Sequence, residues 1–383
     1  MTVDQIYSYI NTAVSEATGG SAVVAEDISN LVDVGSAVLT TATAVDAFVG
    51  KLADKIRRTD FDDKIYTAPN TPNIYMDNWE YASVLEVVDS DLVQATQNPA
   101  YALVNGNTYS QDTFVQPSVS VKFYNKMETY EYDISYTLQA VKMAFNGPSE
   151  MDAFISMLKI KVRNSIEVSL QKCIKATMAN MFAEQAVAGT TVDVLGMYNT
   201  YVSPGSPITA VEAFTSKEFL RYASFIIKSY LDYIKDMSVL NNAGGYETFT
   251  RDEDAKVCLL SAFVNSAEMY LDSDTFHETL VKLPNSDKVT CWQGSGTSHD
   301  IANDAMVIAK PSSDNTKTVT FDYVIGCVYD KYSVGVNKRD LRTYTHFNKA
   351  GEFFNDFTKV DVGHFNNLNR NFIVFTLGTP AIA

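Results

Sequence analysis

From Glu150 to Val187 the chain runs for 38 residues without a glycine or a proline, and that run limits the fold more than any other feature. Met151, Phe154, Ile155, Leu158, Val162, Ile166, Leu170, Cys173, Ile174, Met178, Met181 and Phe182 recur along it at helical spacing and hold one face. At a rise of 1.5 Å per residue the helix is about 57 Å long. An ordinary helix has only about 12 residues. Gly147-Pro148 breaks the chain ahead of it, Ser149 is a candidate cap with Asp152 three residues on, and Gly189 ends it. Strict heptads with charge pairs at e and g are missing, so coiled coil is the lesser reading.

The segments before this helix are poor at burying themselves. Within 1–60, Val45, Phe48, Val49, Leu52 and Ile56 make one narrow apolar stripe, closed by Arg57 and Arg58 at the negative end of the helix dipole. The stripe must dock on the rest of the chain or on a neighbour. Residues 62–125 are broken by prolines at 69, 72, 99 and 117 and by Asn98, Asn105, Gly106 and Asn107. Strand-like runs, Trp79 to Val88 outgoing and Val119, Val121 and Phe123 returning, predict a long hairpin. Two strands alone are marginal in water, so this hairpin needs another surface, often another subunit. Next, Tyr130, Tyr132, Ile134, Tyr136 and Leu138 alternate with Glu131, Asp133, Ser135 and Thr137 as a half-buried strand.

Beyond the long helix, a second is expected over 216–239, with Thr215 and Glu218 as its capping box. The chain then becomes strand-rich at Val257–Val264, Val289–Trp292, Ala305–Ala309, Val319–Tyr329 and Asn371–Leu377, with a short helix near Thr275–Val281. The fold class is α+β.

A net charge of −16, with no basic tail or Lys/Arg cluster, argues against tight DNA binding and against an anionic membrane surface. No run approaches the roughly 18 apolar residues of a membrane helix. The start, MTVDQIYSYI, has neither a basic nor an apolar signal region. Cys173, Cys258, Cys291 and Cys327 form no CxxC pair and read as reduced, mostly buried thiols of a chain kept in a reducing cytoplasm.

No catalytic, cofactor-binding or metal-binding residue is assigned. The four histidines, His277, His299, His346 and His364, do not pair at metal spacing, and Cys291 with His299 is only half a zinc site. Asp272-x-Asp274 starts like a calcium loop, but His277 stands where Gly is needed and Leu283 where the bidentate Glu is needed. Gly294–Ser298 lacks the lysine of a phosphate-binding loop, and Gln293 breaks a nucleophile elbow around Ser295. The acidic groups Asp252–Asp254 and Glu128/Glu131/Asp133 read as solvated faces. An enzyme is not expected.

The order of parts (arm, hairpin, strand, very long helix, mixed domain with a strand-rich interruption) resembles the Hong Kong 97-like capsid fold of tailed bacteriophages. Three stretches look similar to the small short-tailed phages of the phi-twenty-nine kind: the arm helix around Leu39–Ile56, Tyr130–Phe145 (YEYDISYTLQAVKMAF), and Asn348–Asn355 followed by Arg370–Phe375. The resemblance implies an N-terminal arm at 1–61, an extended hairpin loop at 62–125, a peripheral domain at 126–255 with spine helix 150–187, an axial domain at 256–345 and a return to the peripheral domain at 346–383. It implies a major capsid protein that self-assembles into pentamers and hexamers of an icosahedral or prolate shell around double-stranded DNA, located in the virion and assembled in the host bacterial cytoplasm. The expected partners are other copies of the chain and a portal protein, with either a separate scaffolding protein or none, since about 60 residues before the hairpin are too few for a fused scaffold. An encapsulin-like compartment shell and a carboxylate-dependent hydrolase are the rival readings.

Overall fold

The computed structural model describes residues 3–40, 42–58, 71–74, 85–90, 92–93, 95, 97–109, 112, 114, 116, 119–125, 127–272, 284–293 and 304–383. In chain order come helices α1 (Val3–Ala17), α2 (Leu31–Val38) and α3 (Ala42–Arg58), then strands β1 (Leu85–Ser90), β2 (Val119–Tyr124) and β3 (Met127–Thr137). Helices α4 (Leu138–Ala144) and α5 (Pro148–Ala188) follow, then β4 (Thr191–Asp193), α6 (Val194–Tyr201), α7 (Ala210–Ala213) and α8 (Lys217–Tyr233). After β5 (Ala255–Leu260) and α9 (Ser261–Asp272) come β6 (Asp287–Val289), β7 (Val307–Ala309), β8 (Val319–Phe321) and β9 (Val324–Asp330). The long strands β10 (Val334–Asn348) and β11 (Phe353–Asn366) precede β12 (Phe372–Thr376) and β13 (Ala381–Ile382). The chain divides into two units. The first comprises 1–71, 127–174 and 336–363, the second 72–126, 175–335 and 364–383.

In the first unit the narrow stripes of the N-terminal helices find their cover inside the chain. Ile6, Ile10 and Val14 of α1 and Val45, Phe48, Val49 and Leu52 of α3 recur at helical spacing and are buried. They close against Val141 of α4, Phe145 just after it, and Met151, Phe154 and Ile155 of α5. Phe48 and Phe145 have ring centroids 5.1 Å apart. Each such side chain removed from water is worth roughly 1.5–3 kcal/mol. The sheet order here is β10-β11-β3. The strand β3 alternates as its sequence requires and pairs antiparallel with β11, Tyr136 opposite Phe354 and Glu131 opposite Lys359. Tyr136 stacks on Phe354 and meets Phe154 edge-on.

The second unit is built on a five-stranded mixed sheet, β4-β12-β9-β5-β6, with separate sheets β13-β8-β7 and β1-β2. Every residue of β9 and β12 is buried. Phe182, near the end of α5, packs against Trp292, Phe321 and Phe372. The indole of Trp292 donates to the Val324 carbonyl at 2.8 Å, so its one polar atom is satisfied inside the core.

The long helix is found, two residues longer at its start than the expected 150–187. Pro148 occupies the first helical position, where a missing N–H costs nothing. Ser149 therefore lies within the first turn and donates to Glu150 Oε2 instead of capping. Gly189, at φ +78°, ends the helix in the left-handed region. The second helix is shorter than expected and capped one residue later, by Ser216, which accepts from the Phe219 N–H. It stops at Tyr233 because Thr250 N–H donates to the Ile234 carbonyl and Ser238 pairs with Thr248, holding 235–249 as a loop. The expected strand Val257–Val264 splits. Its second half belongs to α9, where Phe263, Val264 and Ala267 are buried at helical spacing. A short apolar run does not reveal its own period. Val319–Tyr329 is likewise two strands. The expected helix Thr275–Val281 and the turn Gly294–Ser298 lie outside the described residues.

Candidate interaction surface

Among the described residues of the second unit, exposed large hydrophobics are most concentrated on the hairpin. Its strands β1 and β2 pair antiparallel from Leu85 opposite Tyr124 to Ser90 opposite Val119, in a sheet of their own. Val88, Val119, Val121 and Phe123 are exposed on it, and so are Val93, Tyr101, Leu103, Val104 and Phe114 farther out. Among the described residues, 11 of the 28 exposed large hydrophobics fall between 88 and 123. Single exposed apolar residues are ordinary, but such a concentration marks a contact surface. A second group, Phe225, Tyr233, Met237, Leu240 and Phe249, is exposed on α8 and the loop after it.

What holds the hairpin at its base is polar. Asp89 is buried, and its carboxylate accepts from Arg370 Nη2 at 3.1 Å and from Asn369 Nδ2 at 3.0 Å. From the opposite strand, Lys122 Nζ donates to Asn369 Oδ1 at 2.6 Å. Burial pulls the Lys122 ammonium below its ordinary pKa, and the charge on Asp89 opposes that shift. Burial, reinforced by Asp89, pushes the Tyr124 phenol up to about 12, so it stays neutral while its ring packs on Phe365 at 5.2 Å.

The anchor is itself locked in place. Asn367, Asn369 and Asn371 are buried in the turn between β11 and β12. Asn371 Nδ2 donates to the Ile234 carbonyl and to Thr250 Oγ1, and Phe372 N–H donates to the Asn241 carbonyl. Gly244 N–H donates to the Leu368 carbonyl at 2.7 Å, and a Cβ at Gly244 would stand 2.8 Å from that oxygen. Only glycine allows this approach. The sequence marks Arg370 and Asn371 only as the starts of a similar stretch and of an expected strand, and gives none of the latch residues a role. The available signal was the run FNNLNRNF, four asparagines between two apolar strands.

The residues weighed for chemistry do not converge. Glu131 pairs across the ladder with Lys359 at 2.8 Å, and Glu128 accepts from the Tyr130 hydroxyl. Asp252 pairs with Lys235 at 2.9 Å, and Glu253 lies 3.6 Å from Arg251. An open depression of about 340 Å³ beside α6 contains one carboxylate, Asp193. That carboxylate is committed to the Gly196 and Gly378 N–H groups. A second acid, which hydrolysis by paired carboxylates needs, does not line it. His346 and His364 lie on β10 and β11, and His277 and His299 lie outside the described residues. No group of three or more His, Cys, Asp or Glu that could hold a metal occurs among the described residues, and no described helix is long and apolar enough to cross a membrane.

Residues 9–376 match a family model described as Phi29-like phage major capsid protein. The chain belongs to that family. This capsid protein is accordingly a structural, non-enzymatic component of the virion, and its mixed helix-and-sheet architecture is consistent with the Hong Kong 97-like fold. Nothing favours the compartment-shell or hydrolase readings. No curated protein matches the capsid protein's sequence. Among solved structures, the capsid of Staphylococcus phage Andhra is 11% identical with a TM-score of 0.47, over 84% of this chain and 88% of the other. A structure of native bacteriophage P68 is 13% identical with a TM-score of 0.44, over 84% and 89%. The capsid of cyanophage P-SCSP1u is 11% identical with a TM-score of 0.43, over 83% and 92%. Overlaps of that size add nothing to the assignment, which rests on the family match.

Proposed function

We propose that this capsid protein closes into pentamers and hexamers of an icosahedral or prolate shell around double-stranded DNA, with the 62–125 hairpin laid over an adjoining subunit. The observation that carries this reading is the pairing of an exposed apolar hairpin with a buried polar latch at its base. An apolar surface held out in water by a fixed joint gains free energy only when a second surface covers it. In this reading 1–61 is the arm, 126–255 with the spine helix the peripheral domain, 256–345 the axial domain, and 346–383 the return. A portal protein completes the particle, assembly uses a separate scaffolding protein or none, and it takes place in the host cytoplasm. The charge of −16 makes attraction to the genome weak, so packaging is driven by a motor.

Deleting Asn98–Asn107 removes the hairpin tip with Tyr101, Leu103 and Val104 while leaving the latch. Negative-stain microscopy should then show folded subunits without closed particles. Normal full-sized shells from that variant would refute the reading. Tight binding of purified subunit to DNA in a gel shift at physiological salt would refute the part concerning the genome.

A further inference from the structure

Two of the four cysteines face each other inside the five-stranded sheet. The strands β5 and β9 run antiparallel, and their register sets Cys258 opposite Cys327. Residues opposed across an antiparallel ladder have Cα atoms about 4.5 or 5.5 Å apart, depending on which ladder position they occupy. A disulfide needs Cα atoms about 4.4–6.8 Å apart and Cβ atoms about 3.5–4.5 Å apart. Both ladder positions meet the first requirement, and a small approach of the two Cβ atoms, which start about 4.5–5.5 Å apart on one face, meets the second. Both side chains are fully buried. Cys173 lies in α5, and Cys291 accepts from Lys175 Nζ at 2.9 Å; neither stands opposite a second cysteine in a ladder.

The place of the pair gives it a use. The chain leaves β5 at Leu260, returns to the sheet as β6 on the other side of β5, and enters the strand β9 beside β5 at Val324. The two thiols therefore stand where the two ends of the 260–324 segment lie side by side. A covalent link there would hold those ends together whatever happens to the packing beyond them.

We propose that Cys258 and Cys327 are an oxidisable cross-strand pair, a dithiol in reducing surroundings that closes to a disulfide on oxidation and staples the 260–324 excursion at its base. In the closing step two S–H bonds of the protein break and one S–S bond forms, while the S–S bond of a low-molecular-weight disulfide such as oxidised glutathione breaks. The two electrons and the two protons pass to that oxidant, which leaves as two thiols. The attacking species is a thiolate. Burial, reinforced by Cys258, pushes the Cys327 thiol well above its ordinary pKa, so closure is slow in the intact sheet and proceeds through its local opening or during folding. Once formed, the link restricts a long loop of the unfolded chain.

The test uses the full-length wild type and a C173S/C291S variant that keeps only this pair. Each is unfolded in reductant, refolded in glutathione redox buffer, blocked with N-ethylmaleimide and mapped by mass spectrometry. A parallel arm treats the folded, reduced chain with diamide, so the pair is read even where refolding is inefficient. The wild type should fall from four free thiols to two, with one linked peptide pair holding Cys258 and Cys327. The oxidised form should melt roughly 5–10 °C higher than the reduced form, a difference removed by reductant and absent in C258S. Four free thiols in both arms, a link between other cysteines, or a melting point unmoved by the link would overturn the proposal.

Discussion

The N-terminal helices and the 85–124 hairpin both begin as narrow apolar stripes that cannot bury themselves, and they end in opposite states. The stripe of α3 is sealed by α1, by Phe145 and by the start of α5. The stripe of the hairpin stays in water, and a buried carboxylate, an arginine, a lysine and an asparagine fix its base. Hydrophobic burial is non-directional and stabilises whatever closes over it. Charge-assisted hydrogen bonds are directional and hold a joint at a set angle. The first device builds a core within one chain; the second holds an apolar surface open, which in the proposed reading another chain covers.

The largest effect expected from this contrast is at Phe48. Truncating this fully buried ring in Phe48→Ala should cost about 3–5 kcal/mol in a urea melt of the unassembled chain. Phe114→Ala, on the exposed hairpin, should change that melt by less than about 0.5 kcal/mol while lowering the yield of closed particles. Equal effects on the melt would break the comparison.

Next comes the latch. Asp89→Ala leaves Arg370 and Asn369 without their acceptor and should cost about 3 kcal/mol, the price of breaking a buried pair. Hydrogen exchange should speed up in β1 and β2 while α1 and α3 stay protected. Loss of protection in the helices as well would show that the two devices are not separate.

A smaller effect concerns a polar group inside the hydrophobic device. Burial raises the Asp356 carboxyl above the ordinary carboxylate range, opposed by the hydrogen bond that it accepts from the Tyr136 hydroxyl at 3.1 Å. The folded chain thus holds this proton more tightly than the unfolded chain. The group's contribution is fully present below the unfolded pKa and is lost as pH rises through the folded one. Asp356→Asn, which still accepts from the Tyr136 hydroxyl, should stabilise the chain by on the order of 1 kcal/mol at pH 8 and by less at pH 4. Urea midpoints at the two values check the sign.

The smallest effect lies at the surface. Lys235 bridges Asp232 and Asp252 in an exposed cluster, and Lys235→Ala should cost less than about 1 kcal/mol, diminishing further at high salt.

The difference between the regions also explains what could be read in advance. The long helix was legible because an uninterrupted stretch with apolar residues every three to four positions has no other stable form. The strand β3 was legible because tyrosines alternate with acids over a full run. The α3 stripe declared that it must dock, but not on what, because a stripe carries no address. The boundary at Leu260 was hidden, since CLLSAFV fits either period. The hairpin's exposed residues lie on a segment visible from its prolines and asparagines. Its latch joins positions 280 apart, Asp89 to Asn369, and no local pattern announces such a contact.

Hydrogen exchange over 97–109, compared between unassembled subunits and closed shells, tests the central claim most directly. These residues, with Tyr101 fully exposed in the single chain, should gain at least about tenfold protection when a neighbour covers them. Unchanged exchange in intact shells would mean that the hairpin never meets a neighbour, and the account would fail.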